Sequence, residues 1–354
     1  MNKELIIRSH SSAVDFALLK DGKLIELNKE VEDNKFSVGD IFVGKIRKSV
    51  PGLNASFVNV GHEKDGFLHY HDLGPKLPSL IKYIKQVSTG KNKDYLLKQF
   101  RYESDIEKDG NIAEVLSPKQ TVLVQIVKEP ISTKGPRLSS EISLAGRFMV
   151  LMPFSDRVSI SQKIEDRAEK TRLKKLVQSI RPKGFGLIIR TVAEGQKVAA
   201  LDADIEQLLK RWKNLSIKLK QIDKYPTKVL SEINRSSSII RDIFDNNFTG
   251  IHVDDAEIQN EIKDYLEKIA PDKKSIVKLY DNHLPIFEKF GIERQIKSSF
   301  GKTVSMQKGA YLVIEHTEAL HVIDVNSGNR SNRSKSQEDT AMEVNLIAAS
   351  EIAR

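Results

Sequence analysis

Gly39-Asp40-Ile41-Phe42-Val43-Gly44-Lys45-Ile46, followed by Asn54-Ala55-Ser56-Phe57-Val58-Asn59-Val60 and Asp65-Gly66-Phe67-Leu68-His69, is the stretch that decides the fold. Turn residues punctuate it at Val38-Gly39-Asp40, Pro51-Gly52, Gly61-His62-Glu63 and Asp65-Gly66. Short strands at that spacing predict a small barrel. Successive side chains of a strand point to opposite sides. Phe57 and Asn59 therefore share one face, and Val58 and Val60 the other. Phe67 opens the next strand. Two aromatic rings on the outside of a five-stranded barrel form a stacking platform for unpaired bases; on the inside they are core, and alternation alone leaves both readings open.

Outward from the barrel, Glu4-Leu5-Ile6-Ile7 and Val14 to Glu30 read as strands, the latter broken by a type I′ hairpin turn at Lys20-Asp21-Gly22-Lys23. Thr121 to Val127, Phe148 to Met152 and Leu187-Ile188-Ile189 are further strands. Ile164, Ala168, Leu173, Leu176, Val177 and Ile180 recur at helical spacing. So do Ile205, Leu208, Leu209, Trp212, Leu215 and Leu219, with Asp202 as the expected cap and Trp212 as a packing residue. A third stripe runs from Ala256 to Ile269, ended by Pro271. Near the end, Tyr311 to Ile314 and Leu320 to Val325 are expected strands. A helix opening at Glu338-Asp339 has Met342, Leu346, Ala349 and Ile352 or Ala353 as its expected apolar face. It reaches Arg354 with no Gly or Pro stop, which suggests a chain cut in mid-domain.

At 354 residues the chain exceeds the about 250–300 that one core supports, so several folding units are expected. The net charge is +9, and a polyanion is the natural partner. Most of the excess lies between Lys76 and Arg101, where Lys76, Lys82, Lys85, Lys91, Lys93, Lys98 and Arg101 face Asp94 alone. That run reads either as a solvated insertion or as an arm following a phosphate backbone. The absence of cysteine excludes disulfides, zinc ribbons, iron–sulfur clusters and thiol catalysis within these residues. With no apolar run of membrane-spanning length and no secretory leader, a soluble, cytoplasmic protein is expected.

Two constellations could carry chemistry. Arg190 and Thr191 follow an apolar strand, and a guanidinium beside a hydroxyl can hold a terminal phosphate; an arginine there also suits a surface ion pair. In Asp324-Val325-Asn326, residues i and i+2 of a strand point the same way. A carboxylate suited to Mg²⁺ would then share a site with an amide that can orient a phosphate oxygen, although an acid at a strand end is also a common turn residue. Phe300-Gly301-Lys302-Thr303 ends like a phosphate-binding loop, but Ile296 stands where its first glycine must be. His62, His69 and His71 lack metal-ligand spacing.

The Gly39–Ile46 and Asp65–His69 wording resembles the S1 type of OB fold. The string from Val313 to Gly328, with Glu343 to Arg354, Leu144-Ala145-Gly146, Val150-Leu151-Met152-Pro153 and Ile189-Arg190-Thr191, resembles the ribonuclease E/G family over essentially the whole chain. That resemblance implies an α+β multidomain protein. An RNase H-like domain (1–37 and 236–298) would carry an inserted S1-type OB barrel (38–127, with the basic insertion at about 74–110). A 5′-sensor region (128–235) and a partial DNase I-like catalytic domain (299–354) would complete it. It further implies Mg²⁺-dependent endonucleolytic cleavage of single-stranded RNA, rRNA precursors and mRNA among the targets, by a homo-oligomer. Asp324 would hold the metal and Asn326 would place the scissile phosphate. Arg190 and Thr191, aided by backbone N–H groups near Gly146 and Val150, would hold a 5′-monophosphate. Phe57, Phe67 and Lys134 would grip the RNA. The chain departs from the family at Gln162, where some members have arginine, and lacks both the family's second metal-binding aspartate and its zinc link.

Overall fold

The computed structural model describes residues 2–31, 35–91, 95–231, 235–245, 247–299, 301–328 and 336–353. Lys93 and Asp94 of the basic run, Phe300 and Arg354 lie outside them. The chain forms two compact units, one from residues 1–33 with 246–354 and one from 34–245.

The first three strands, β1 (Lys3–Ser9), β2 (Ala13–Lys20) and β3 (Lys23–Val31), make an antiparallel meander. Asp21 and Gly22 have φ of 49° and 76°, the pair of positive values that a type I′ turn requires.

The inner unit starts with the barrel. Strands β4 (Ile41–Val50), β5 (Ala55–Asn59) and β6 (Gly66–His69) are followed by helices α1 (Leu77–Ser88) and α2 (Ile112–Val115). Strands β7 (Thr121–Lys128) and β8 (Arg137–Ser139) come next. The order β4-β5-β6-β8-β7 closes by pairing β7 back to β4. Phe42, Ile46, Val58, Leu68, Val124 and Leu138 fill the interior. A second sheet has the order β11-β12-β10-β9, built from β9 (Leu144–Ala145), β10 (Met149–Pro153), β11 (Val158–Ile160) and, after α3 (Arg167–Ile180), β12 (Phe185–Ile189). Helices α3 and α4 (Val198–Lys220) pack on it, β13 (Thr227–Leu230) returns to pair with β4, and α5 (Arg235–Ile243) closes the unit.

Three sequence readings need correction. The helix bearing Trp212 begins at Val198 with no side-chain cap, so Asp202 lies inside it. Val198-Ala199-Ala200-Leu201 contains no helix breaker, and its backbone continues the turn upstream of the expected cap. The basic run is not a loose solvated insertion. Its helix α1 buries Leu80, Tyr83, Ile84 and Val87 in the core of the second sheet. There the Tyr83 ring stacks on Trp212 at 5.5 Å and its hydroxyl lies 2.6 Å from Ser216 Oγ. Lys76 and Lys82 pair with Asp105 and Glu103, each at 2.6 Å. The apolar residues recur at i, i+3, i+4 and i+7, a stripe that the density of lysines hid.

The outer unit resumes with β14 (Phe248–Val253), α6 (Ala256–Ile269) and β15 (Val277–Leu279), giving a sheet of order β15-β14-β1-β2-β3 in which β14 runs parallel to β1. Ile286 and Phe287 of α7 (Ile286–Lys289) and Ile292 of α8 (Ile292–Ser299) pack on Ile6, Ala17 and Leu19. The sheet β16 (Thr303–Ser305), β17 (Tyr311–His316) and β18 (His321–Asn326) carries α9 (Gln337–Ala353) on one face. The third correction falls here. The helix packs through Val344 and Ala348, while Met342, Leu346 and Ile352 are exposed. Apolar residues surround this helix, so the sheet, with Leu312, Ile314 and Ile323, selects the buried side rather than periodicity.

Candidate functional site

On the barrel, Phe57 and Phe67 stand opposite each other across β5 and β6, both half-buried, while Val58 and Leu68 face inward. The two rings meet edge to face at 5.8 Å, and Lys48 Nζ lies 5.1 Å from the Phe57 centroid. The row continues to His69, 6.4 Å from Phe67, and to His71, 5.1 Å further on. His69 Nδ1 accepts the His71 backbone N–H at 3.2 Å, which holds the imidazole in the row. Arg137 lies beside Phe67 across the β6–β8 pairing, and Asp72 holds it through bonds of 3.0 and 3.2 Å. Lys134 is exposed in the turn closed by its N–H to Ile131 O. Aromatic faces interleaved with cations can stack bases and track a phosphate backbone. Sequence reasoning weighed His69 and His71 only as metal ligands; their i, i+2, i+4 spacing from Phe67 was the available signal.

In the second sheet, Arg190 follows β12. Its Nη1 donates to Gly146 O at 2.8 Å and its Nη2 to Asp242 Oδ1 at 2.7 Å. The neighbouring Thr191 Oγ1 lies 2.9 Å from Ser161 Oγ. Behind them the Arg147, Phe148 and Met149 N–H groups all donate to the Asp204 carboxylate at 2.9–3.0 Å. The Gly146 N–H donates to Met149 O at 2.8 Å, and Val150 is paired within the sheet. The backbone donors from Gly146 to Met149 thus already have internal partners. Gly146 cannot bear a side chain here, since a Cβ would lie 2.6 Å from Asp204 Oδ2. Burial pushes the Asp204 carboxyl up, against the pull of three N–H bonds and the charge of Arg190. Burial would also raise Asp242, but Arg241 and Arg190 outweigh it and hold that carboxyl below its ordinary value. Sequence reasoning missed both acids. Asp204 carried a signal: it sits on the core face of its helix, one residue before Ile205. Gln162 is exposed.

On β18, Asp324 is exposed and Asn326 half-buried, and Asn326 Nδ2 donates to Asp324 Oδ2 at 2.9 Å. Their register partners on β17 are Val313 and Tyr311, which places Glu315 on the same face, two residues along. The opposite face, through Leu312, Ile314 and Ile323, packs on α9. Asp324 is therefore neither buried among apolar side chains nor tied to a turn. Among the described residues no group of three or more His, Asp or Glu is placed to hold a metal ion. One carboxylate with a neighbouring amide still fits Mg²⁺, which commonly takes one or two carboxylates, keeps several waters and shares substrate phosphates.

An arginine paired with a half-exposed carboxylate and an Asp–Asn pair at the edge of a sheet are the side chains that the two sites present, and the comparisons with known proteins give the class. Residues 143–354 match the Ribonuclease E/G family, and the chain belongs to it. It is 32% identical over 352 residues to ribonuclease G of Haemophilus influenzae (99% of this chain, 67% of that protein) and 30% identical to ribonuclease G of Escherichia coli (100% and 68%). It is 34% identical over 362 residues to ribonuclease E of Nostoc sp. (100% of this chain, 47% of that protein). The chain thus spans about two thirds of those ribonuclease G relatives and about half of that ribonuclease E. Among the described residues no helix is long and apolar enough to cross a membrane.

Proposed function

We propose that this chain carries the RNA-gripping, end-sensing and phosphodiester-cleaving parts of a Mg²⁺-dependent endoribonuclease. It would act in the cytoplasm on single-stranded RNA such as rRNA precursors and mRNA, with preference for a 5′-monophosphate and as a homo-oligomer. The barrel (38–127) is the S1-type module, 128–235 the 5′ sensor, 1–37 with 236–298 the RNase H-like part, and 299–354 the DNase I-like part. The strand order β15-β14-β1-β2-β3 and the closed barrel support that division, except that α5 belongs to the compact unit of residues 34–245.

The observation that carries the reading is the Asp324–Asn326 pair, exposed side by side on β18 in a chain of a ribonuclease family. Asp324 would hold the metal ion, which when bound supplies an activated water and offsets charge on the scissile phosphate. Asn326, through its amide, would place a phosphate oxygen and hold the carboxylate's orientation. Phe57 and Phe67 would stack unpaired bases, Lys134 would meet a phosphate, and Arg190 and Thr191 would hold the terminal phosphate. The test is cleavage of a 5′-monophosphorylated, A/U-rich oligoribonucleotide in Mg²⁺. Asp324→Ala should abolish it while leaving the unfolding midpoint unchanged; equal cleavage by both proteins would overturn the metal role.

A second reading has its own support. Asp324 is bonded to an amide, and although Glu315 shares its face two residues along β17, no group of three acids or histidines converges there among the described residues, which favours a chain that binds RNA and its 5′ end without cutting. Tight binding with no Mg²⁺-dependent cleavage by the parent would select it.

A further inference from the structure

We propose that Asp242 is the resident anion of the Arg190 site, a carboxylate that a terminal phosphate must displace, and that it thereby holds down the preference of the site for phosphorylated over hydroxyl 5′ ends. The inference rests on the reading of Arg190 as a phosphate sensor and adds a residue that this reading does not contain.

The geometry separates anchors from the replaceable partner. Arg190 Nη1 is tied to Gly146 O at 2.8 Å, and Arg241 Nη1 to the adjacent Ala145 O at 3.2 Å. One loop thus fixes both guanidinium groups through consecutive carbonyls. Both then converge on one carboxylate: Asp242 Oδ1 accepts from Arg190 Nη2 at 2.7 Å and from Arg241 Nε at 3.0 Å, and its Oδ2 accepts from Arg241 Nη2 at 3.5 Å. The two arginine side chains are 24% and 8% exposed and that of Asp242 is 45% exposed, so the carboxylate is the member with a path to water.

A phosphate monoester carries about −1.5 to −2 charge and three acceptor oxygens, more than a carboxylate offers the same guanidinium edge. It would meet like charge if it arrived while Asp242 stayed, so binding and displacement are coupled. A 5′-hydroxyl has neither the charge nor the acceptors to drive the exchange. Asp242 therefore acts as a threshold, lowering apparent affinity for the phosphorylated end, which must first displace it, and not for a hydroxyl end that leaves it in place.

The test measures affinity of the full chain for a short 3′-labelled A/U oligoribonucleotide by fluorescence anisotropy in EDTA, with a 5′-monophosphate or a 5′-hydroxyl. Asp242→Asn keeps the shape and removes the charge. It should tighten monophosphate binding about three- to fivefold, the scale of one half-exposed ion pair, and leave the hydroxyl form unchanged. Asp242→Ser should act in the same direction, and Asp242→Glu should keep the parental ratio. A ratio that stays the same, because both forms tighten equally, overturns the proposal. So does a ratio that falls, since Asp242 would then merely position Arg190. Arg190→Ala separates the two levels: if it leaves the ratio untouched, the sensor reading itself fails. If it erases the ratio while Asp242→Asn does not raise it, only the threshold fails.

Discussion

Asp204→Ala should be among the most destabilising single changes in the inner unit, and the structure supplies the magnitude. The carboxylate accepts three consecutive backbone N–H groups, from Arg147 at 3.0 Å, Phe148 at 2.9 Å and Met149 at 3.0 Å. The bonds to Phe148 and Met149 are buried, and each orphaned buried donor costs about 1–3 kcal/mol. Removing a carboxylate that burial already disfavours returns part of that, so a net loss of about 2–4 kcal/mol follows. Asp204→Asn should fall between, because its carbonyl oxygen still accepts while its amide N–H₂ opposes the backbone donors. Trp212, the single tryptophan, is fully buried on the same helix and reports this unit alone. Urea unfolding followed by its fluorescence gives the free energy without a two-state assumption for the whole chain. An Asp204→Ala midpoint equivalent to less than about 0.5 kcal/mol of change, the level of an ordinary surface substitution, would refute the account of the loop.

Two further outcomes follow from the same structure. Phe57→Ala should weaken oligoribonucleotide affinity by about 1–3 kcal/mol, the worth of one stacked base, with little effect on unfolding because Phe57 faces outward; a large fall in the stability of the barrel instead would mean that the ring is core. Arg172 and the Gly195 N–H hold the Glu169 carboxyl down to about 2 from an ordinary 4.5. A depressed carboxyl contributes stability that is whole above 4.5 and is lost as pH falls toward 2. Glu169→Gln should therefore flatten the acid side of the Trp212 unfolding profile, and an unchanged acid slope would count against that pair.

The barrel, the hairpin turn and the side-by-side placement of Asp324 and Asn326 were legible because each depends on local rules. Alternation put Phe57 and Val58 on opposite faces without saying which face was outward, Asp-Gly fixed the turn, and i, i+2 spacing put Asp324 beside Asn326. What the sequence hid depends on long-range partners. Helix α1 read as charge because it lies in a run with seven Lys and Arg against one Asp, and only Trp212, far along the chain, shows what its apolar stripe is for. The side of α9 that is buried is chosen by the sheet, since Met342 and Leu346 satisfy the same periodicity as Val344 and Ala348. Asp242 gave no local signal at all, because its meaning lies in Arg190, 52 positions away.

The two candidate centres differ in how their geometry is held, and that difference bears on what each can do. Arg190 is oriented by a chain of constraints that ends in the core. The apolar stripe of α4 fixes Asp204, Asp204 fixes the backbone from Arg147 to Met149, and the Gly146 carbonyl beside it holds Nη1. A guanidinium positioned in that way is pre-organised, so a phosphate would have little ordering to impose and its affinity would be set by exchange with Asp242. Asp324 and Asn326 are held by strand register and by one mutual bond, with the carboxylate open to water. A carboxylate so exposed gains no low-dielectric strengthening by itself; a cation and a threaded phosphate backbone would have to supply it by excluding solvent. Under the proposed function, the end-sensing centre would be built by the protein, and the cleaving centre would be completed by what it binds.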